Sequence, residues 1–307
     1  MSPARAAERV AEALLPLAVI AVVLALVLPS DEAPARGDLV LAVLVVLTAL
    51  GIPPDELWAL HSRWKAVLAL SLVPFAVLVP LAWALSLLFE SPVREGVLTL
   101  GLSSTEVAAV GLVALAGGDA ALALGALAGS LVAAATLGPL VVSVLASEAA
   151  SADPAELLGR FALVVLAPLA AGVLARVIWP RLARGEPWFA AGSTLAVVIL
   201  IYASLSGTSS GDDLAPALAA SAAFLVLSAV PAFGWARLVA GEQRPAVAFA
   251  VGLRDFAVAA TLATQAFGSP AATVGGIYGV LMLVAGALAT AVLRRRTSRA
   301  SAADDVA

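Results

Sequence analysis

Apolar runs of about twenty residues, separated by short polar breaks, extend along nearly the whole chain. As helices, such runs are long enough to cross the roughly 30 Å of hydrocarbon in a bilayer. They are continuous, with no strict alternation of apolar and polar positions, which predicts helices in preference to barrel strands. Spans are predicted near residues 10–28, 39–52, 66–89, 96–116, 120–145, 156–179, 189–206, 214–239, 245–267 and 271–293. The second is short for a full crossing and is expected to be tilted or broken. The sharpest turns are Gly117-Gly118-Asp119 and Gly268-Ser269-Pro270. In each, Gly ends one helix and Asp119 or Ser269 caps the next, with Pro270 at a first helical position where its missing N–H costs little.

Composition turns this pattern into a membrane assignment. Of 307 residues, 62% are hydrophobic and 12% charged, about half the charged share of a soluble domain. Such a chain cannot cover a water-facing surface, so lipid is its expected solvent. The N-terminal run reads as a span, since no small-residue cleavage site follows it. There is no cysteine, which removes disulfides, thiolate metal sites and cysteine nucleophiles, and there is no asparagine. The net charge of −4 points to no nucleic-acid partner. One Lys against sixteen Arg suggests a GC-rich genome, hence a bacterium and its inner membrane.

Basic residues set the orientation. With the N-terminus inside, cytoplasmic segments carry Arg5, Arg9, Arg63, Lys65, Arg176, Arg181, Arg184, Arg237, Arg244, Arg294, Arg295, Arg296 and Arg299, thirteen in all, against three (Arg36, Arg94, Arg160) on the other side. Both termini are therefore expected in the cytoplasm, with an even number of spans. Trp58, Trp64, Trp179, Trp188 and Trp235 fall near the basic loops, as an interfacial belt requires.

The chain also resembles itself. A shift of 151 residues aligns Gly101-Leu102 with Gly252-Leu253, Val107-Ala108-Ala109 with Val258-Ala259-Ala260, Gly117 with Gly268, and Ala120-Ala121 with Ala271-Ala272, eight identities in twenty-one positions. Pro80 and Pro231 match at the same shift. Two five-span units, residues 1–150 and 151–307 with a cytoplasmic tail from 294, make an inverted repeat, because an odd number of spans turns the second copy over. Inverted repeats belong to alternating-access transporters with a midplane site on broken helices.

The fourth and ninth spans are equivalent members of the two units and are interrupted at the same place. The fourth reads Gly101-Leu102-Ser103-Ser104-Thr105-Glu106, and the ninth Gly252-Leu253-Arg254-Asp255. Glu106, Arg254 and Asp255 are the charges deepest inside predicted spans, and a charge there needs a partner, water or a ligand. The candidate binding residues are Ser103, Ser104, Thr105, Glu106, Arg254, Asp255 and Gln265. Against this stands a structural clamp in which Arg254 pairs with Asp255 or Glu106, and Gln265 reads more readily as a helix–helix contact. No metal-ligating cluster or catalytic set is visible, so no enzyme is expected. Gly207-Thr208-Ser209-Ser210-Gly211 fits G-x-S-x-G, but no strand precedes it, and His61, the sole histidine, lies on the opposite side of the membrane.

Several segments resemble the bile acid:sodium symporter family, in the group that includes arsenite exporters. They are Leu47 to Pro54, Val79-Pro80-Leu81-Ala82-Trp83, Ala116 to Leu122, Ala167 to Val173, and Val251 to Gly286. The resemblance implies an all-α membrane protein of ten helices. A panel (spans 1, 2, 6, 7) would face a core (3–5, 8–10) with crossed broken helices 4 and 9. It also implies a symporter of small organic anions. The departures fall on the ion site: where the family carries Glu-Val-Gly-x-Gln-Asn, this chain has Ala250, Arg254 and Asp255. The expected activity is thus alternating-access transport of a small organic anion, without cofactor. Either the Arg254 guanidinium replaces sodium or receives the substrate, or Glu106 or Asp255 carries a coupling proton, since leaving water favours the neutral carboxyl. The alternative is a non-transporting membrane sensor or scaffold. The expected partners are the anion and the bilayer; the sequence leaves the oligomeric state open.

Overall fold

The computed structural model describes residues 5, 7, 9, 10, 13–30, 32–145, 153–206, 213–239 and 241–304. Among them the fold is all-α: α1 (Leu14–Val27), α2 (Gly37–Leu50), α3 (Pro54–Ala59), α4 (Trp64–Ser86), α5 (Val93–Leu102), α6 (Ala108–Leu115), α7 (Ala120–Leu145), α8 (Pro154–Phe161), α9 (Ala167–Ile178), α10 (Glu186–Ser206), α11 (Leu214–Ala236), α12 (Gln243–Gly252), α13 (Phe256–Phe267) and α14 (Ala272–Asp304). Six helical stretches are long and apolar enough to cross a membrane: Leu60–Ser86, Ala120–Leu145, Pro154–Ile178, Pro180–Ser206, Leu214–Ala236 and Ser269–Leu293. The apolar helices Leu14–Val27, Gly37–Leu50 and Phe256–Phe267 are shorter. Large hydrophobic side chains stay exposed on the outer faces of α1, α4, α9, α11 and α14, as lipid requires in place of water. The chain is a multi-pass membrane protein.

Local chemistry explains the irregularities. α8 runs into α9 through a π-helical turn at Ala162–Leu166, where the Ala167 N–H reaches back to the Ala162 carbonyl. Pro168 has no N–H for an ordinary helical bond, and a π-turn absorbs the lost donor. α2 is one unbroken helix, led in by a 3₁₀ turn at Pro34–Arg36. The expected break in the second span is therefore absent, and only its shortness stands. Asp119 caps α7 as expected, its Oδ1 accepting from the Leu122 N–H at 3.0 Å, while the preceding Gly117 takes a φ of 69°. The second turn departs from expectation: Gly268 (φ 98°) occupies the capping position, and Ser269 lies inside a 3₁₀ turn, Ser269–Ala271. The G-x-S-x-G segment at 207–211 lies outside the described residues.

Two groups of helices emerge from the packing. α1, α2, α9 and α10 pack on one another, and α4, α5 and α7 pack with α11, α12, α13 and α14. α10 against α14 and α2 against α13 join the groups. Small residues permit the closest approaches. A Cβ on Gly101 would stand 2.5 Å from the Ala82 Cβ, and one on Gly96 only 2.7 Å from the Val274 Cβ.

Candidate functional site

The two broken helices meet at their breaks. Ser103 to Glu106 favour side-chain bonds to local backbone over a continuing helix, and the chain leaves α5 extended at Ser103 (ψ 165°). It leaves α12 extended at Leu253 (ψ 121°) and stays so through Asp255 (ψ 105°). The two extended pieces cross as an antiparallel bridge between Thr105 and Arg254. The Glu106 N–H donates to the Leu253 carbonyl at 3.1 Å, and the Asp255 N–H to the Ser104 carbonyl at 2.8 Å. Backbone groups freed by breaking both helices thus satisfy each other in a region without water.

Neighbouring helices secure the crossing with hydroxyls. The Thr105 N–H donates to Ser130 Oγ of α7 (2.9 Å), and the Arg254 N–H to Tyr278 Oη of α14 (3.0 Å). Thr105 Oγ1 donates to the Ala250 carbonyl (2.9 Å), tying one broken helix to the other, and Ser228 Oγ donates to the Gly252 carbonyl (3.1 Å). Tyr278 is held edge-on against Phe224 with ring centroids 5.7 Å apart. Ser103 Oγ turns back to the Leu100 carbonyl. Ser130, Tyr278 and Ser228 were not among the candidates from sequence. The one available signal was that Tyr278 is one of only two tyrosines in the chain.

All three charges expected in the membrane are buried here: Glu106 at 2% exposure, Arg254 at 0% and Asp255 at 2%. The carboxylates sit at helix N-termini, where the helix dipole favours negative charge. Asp255 Oδ1 accepts from the Ala257 and Val258 N–H groups at 2.9 and 3.0 Å, capping α13. Glu106 Oε1 accepts from the Ala108 N–H of α6 at 3.3 Å, and its Oε2 has no hydrogen-bond partner.

The clamp reading fails on geometry. Arg254 forms no ion pair within 4.0 Å with Glu106, Asp255 or any other described carboxylate. Arg254 and Asp255 are consecutive residues of an extended segment, whose side chains leave on opposite sides. The carboxylate is used on α13, and the guanidinium lies over the Phe75 ring of α4, its Cζ 5.1 Å from the centroid. Nε, Nη1 and Nη2 are all buried without a hydrogen bond. The Phe75 ring gives the guanidinium a cation–π contact that spends none of its N–H donors.

Gln265 lies apart from the crossing. It is near the C-terminal end of α13, where its Nε2 donates to Asp38 Oδ1 at the start of α2 (2.9 Å). Sequence also missed two buried charges: Glu95 (6% exposed) in the first turn of α5, and Arg176 (5%) in α9, which pairs with Glu186. Arg176 had been assigned to a cytoplasmic segment. A cavity of about 340 Å³ opens between α2 and α10 on one side and α6 and α7 on the other. Its walls include Thr48, Glu186 and Ser193 from the first group and Val107, beside Glu106, from the second. Arg254 is not in its walls.

No curated protein matches the chain. Residues 12–294, nearly its full length, match a family of membrane transporters related to the bile acid:sodium symporters. The chain belongs to the SBF-like CPA transporter family.

Proposed function

We propose that this protein is a secondary active transporter of a small organic anion, working by alternating access in a bacterial inner membrane with both termini in the cytoplasm. The observation that carries the reading is the Arg254 guanidinium, buried at the crossing with every donor unused. A planar fork with free edges is suited to bidentate capture of a carboxylate or sulfate. Phe75 packs against the guanidinium without engaging any of its donors. The panel is α1, α2, α9 and α10; the core is the remaining long helices, and the 340 Å³ cavity between them is the substrate's way in. Because Arg254 is fully buried and does not line the cavity, the anion reaches it only when panel and core move relative to each other.

The ten-span inverted repeat, residues 1–150 and 151–307, fits the paired roles at the crossing. Thr105 and Arg254 each donate a backbone N–H to a hydroxyl on the following long helix, and Glu106 and Asp255 each cap the second half of a broken helix. α4 and α11 are each 23 residues long, with Pro80 and Pro231 inside them. In this reading Arg254 is a tethered cation that makes sodium at the crossing unnecessary, and Glu106, with one free oxygen, is the group available to a proton. Ser103 and Ser104 shape the break, and Gln265 is left to a panel–core contact.

The test is uptake of organic anions into proteoliposomes with and without sodium, together with thermal stabilisation of wild type and Arg254→Ala by the same anions. Sodium-independent uptake and anion-specific stabilisation lost in the variant are expected. A strict sodium requirement with a Hill slope near two overturns the tethered-cation reading; anion binding without flux overturns transport in favour of a sensor. If Glu106→Gln leaves pH-dependent uptake unchanged, Glu106 has no proton-carrying role.

A further inference from the structure

We infer that a second site, at the opposite end of α2 from the 340 Å³ cavity, binds one small monovalent cation between Asp38, Ser204, Thr261 and Thr264. This inference goes beyond the transport reading and does not depend on it. These residues come from α2, α10 and α13 and enclose a cavity of about 10 Å³. That is room for a single water-sized sphere. It excludes an organic substrate and leaves water or a bare small ion.

What the walls present is oxygen with lone pairs. Ser204 Oγ spends its one hydrogen on the Leu200 carbonyl (2.7 Å), and Thr264 Oγ1 spends its own on the Ala260 carbonyl (2.9 Å). Each hydroxyl therefore has only acceptor capacity left for the cavity. Among the described residues, Asp38 is a carboxylate with no arginine, lysine or histidine nitrogen within 4.0 Å. Gln265, nine-tenths buried, holds its amide against Asp38 through Nε2 (2.9 Å), and its Oε1 has no partner. The carboxylate and the hydroxyls that line the cavity form a donor set suited to a hard cation.

Charge decides between water and an ion. Water can donate two hydrogen bonds here but brings no charge, so partly exposed Asp38 has only the α2 dipole, the Gln265 amide and solvent opposite it. A monovalent cation satisfies the acceptors and the charge together. Its ligands come from three helices, α2, α10 and α13.

Sodium is the probe, against choline as a cation too large for the cavity, with thermal unfolding of the purified full chain as readout and no organic anion present. Sodium is expected to raise the unfolding temperature with single-site saturation. At about a hundredfold excess over its dissociation constant, it favours the folded form by a factor of about a hundred. Asp38→Asn keeps an acceptor for Gln265 but removes the charge, and should abolish the sodium shift. Thr261→Val, which retains the charge, should weaken apparent sodium affinity several-fold, and it serves if Asp38→Asn does not fold. Glu106→Gln should leave the shift intact. No sodium shift in wild type means water only and overturns the inference. So does a shift that survives Asp38→Asn or Thr261→Val, or one lost in Glu106→Gln, which would move the ion to the crossing. Failure of anion uptake leaves this readout untouched, so the two proposals fall separately.

Discussion

Replacing Arg254 with methionine separates a binding group from a structural one by the sign of the stability change. Three buried nitrogens without partners each cost about 1–3 kcal/mol relative to a satisfied donor. Withdrawing the guanidinium from water costs several kcal/mol more. On the other side, stacking on Phe75 at 5.1 Å contributes up to about 2 kcal/mol. The carboxylates lie beyond 4.0 Å, so at an effective dielectric near 20 each attracts Arg254 by no more than about 4 kcal/mol. Both attractions are upper bounds that fall with distance, so the costs outweigh the gains when the carboxylates stand well beyond 4.0 Å. Arg254→Met, similar in volume and unbranched, is expected to stabilise the fold by about 1–4 kcal/mol, the range found when buried charges give way to packed apolar groups. Anion-dependent stabilisation and uptake should vanish in the same variant. Thermal and denaturant unfolding in detergent, each with and without anion, measures both. Destabilisation by about 3–5 kcal/mol would refute the reasoning, because that is the cost of breaking a buried ion pair. Arg254 would then be a clamp for Glu106 and Asp255.

Other positions test the crossing and its surroundings. Tyr278→Phe removes the acceptor of the Arg254 N–H and should cost about 1–3 kcal/mol in unfolding experiments; unchanged stability would show that this N–H finds another partner. Gly101→Ala places a Cβ 2.5 Å from the Ala82 Cβ and 2.9 Å from the Leu78 carbonyl, and should cost about 1–3 kcal/mol by overpacking α5 against α4. Gly111→Ala is its control: nothing lies within 4 Å, so higher helix propensity should stabilise α6 by up to about 1 kcal/mol. Ser193→Cys introduces the only thiol into a cysteine-free chain, in the wall of the 340 Å³ cavity. It should react with a membrane-impermeant maleimide from the cytoplasmic side and be protected by transported anions; labelling from the outside alone would reverse the orientation.

Much of this architecture was legible without coordinates because the bilayer imposes a strong, local rule. Apolar length identified the long helices, and Gly101 to Glu106 with Gly252 to Asp255 marked both breaks, since Ser, Thr and Asp trade helical bonds for side-chain ones. The cap at Asp119 followed from the same chemistry, with its Oδ1 on the Leu122 N–H. Expectation failed where a competing residue was nearby. Gly268, free to take a φ of 98°, claimed the capping position expected of Ser269.

The sequence by itself determined that this protein lives in lipid, that two of its helices break, and that Glu106, Arg254 and Asp255 are the charges carried at those breaks. Those properties follow from runs of neighbouring residues and the cost of burying them. Only the tertiary structure decided what each charge meets. Adjacent side chains of an extended segment diverge, so Asp255 went to α13 and Arg254 to Phe75, and the alternative of a clamp between them did not form. Gln265 and Asp38, 227 residues apart, became partners because α13 and α2 pack together. Side-chain direction and the packing of distant helices are set by three-dimensional contact, and no local pattern encodes them.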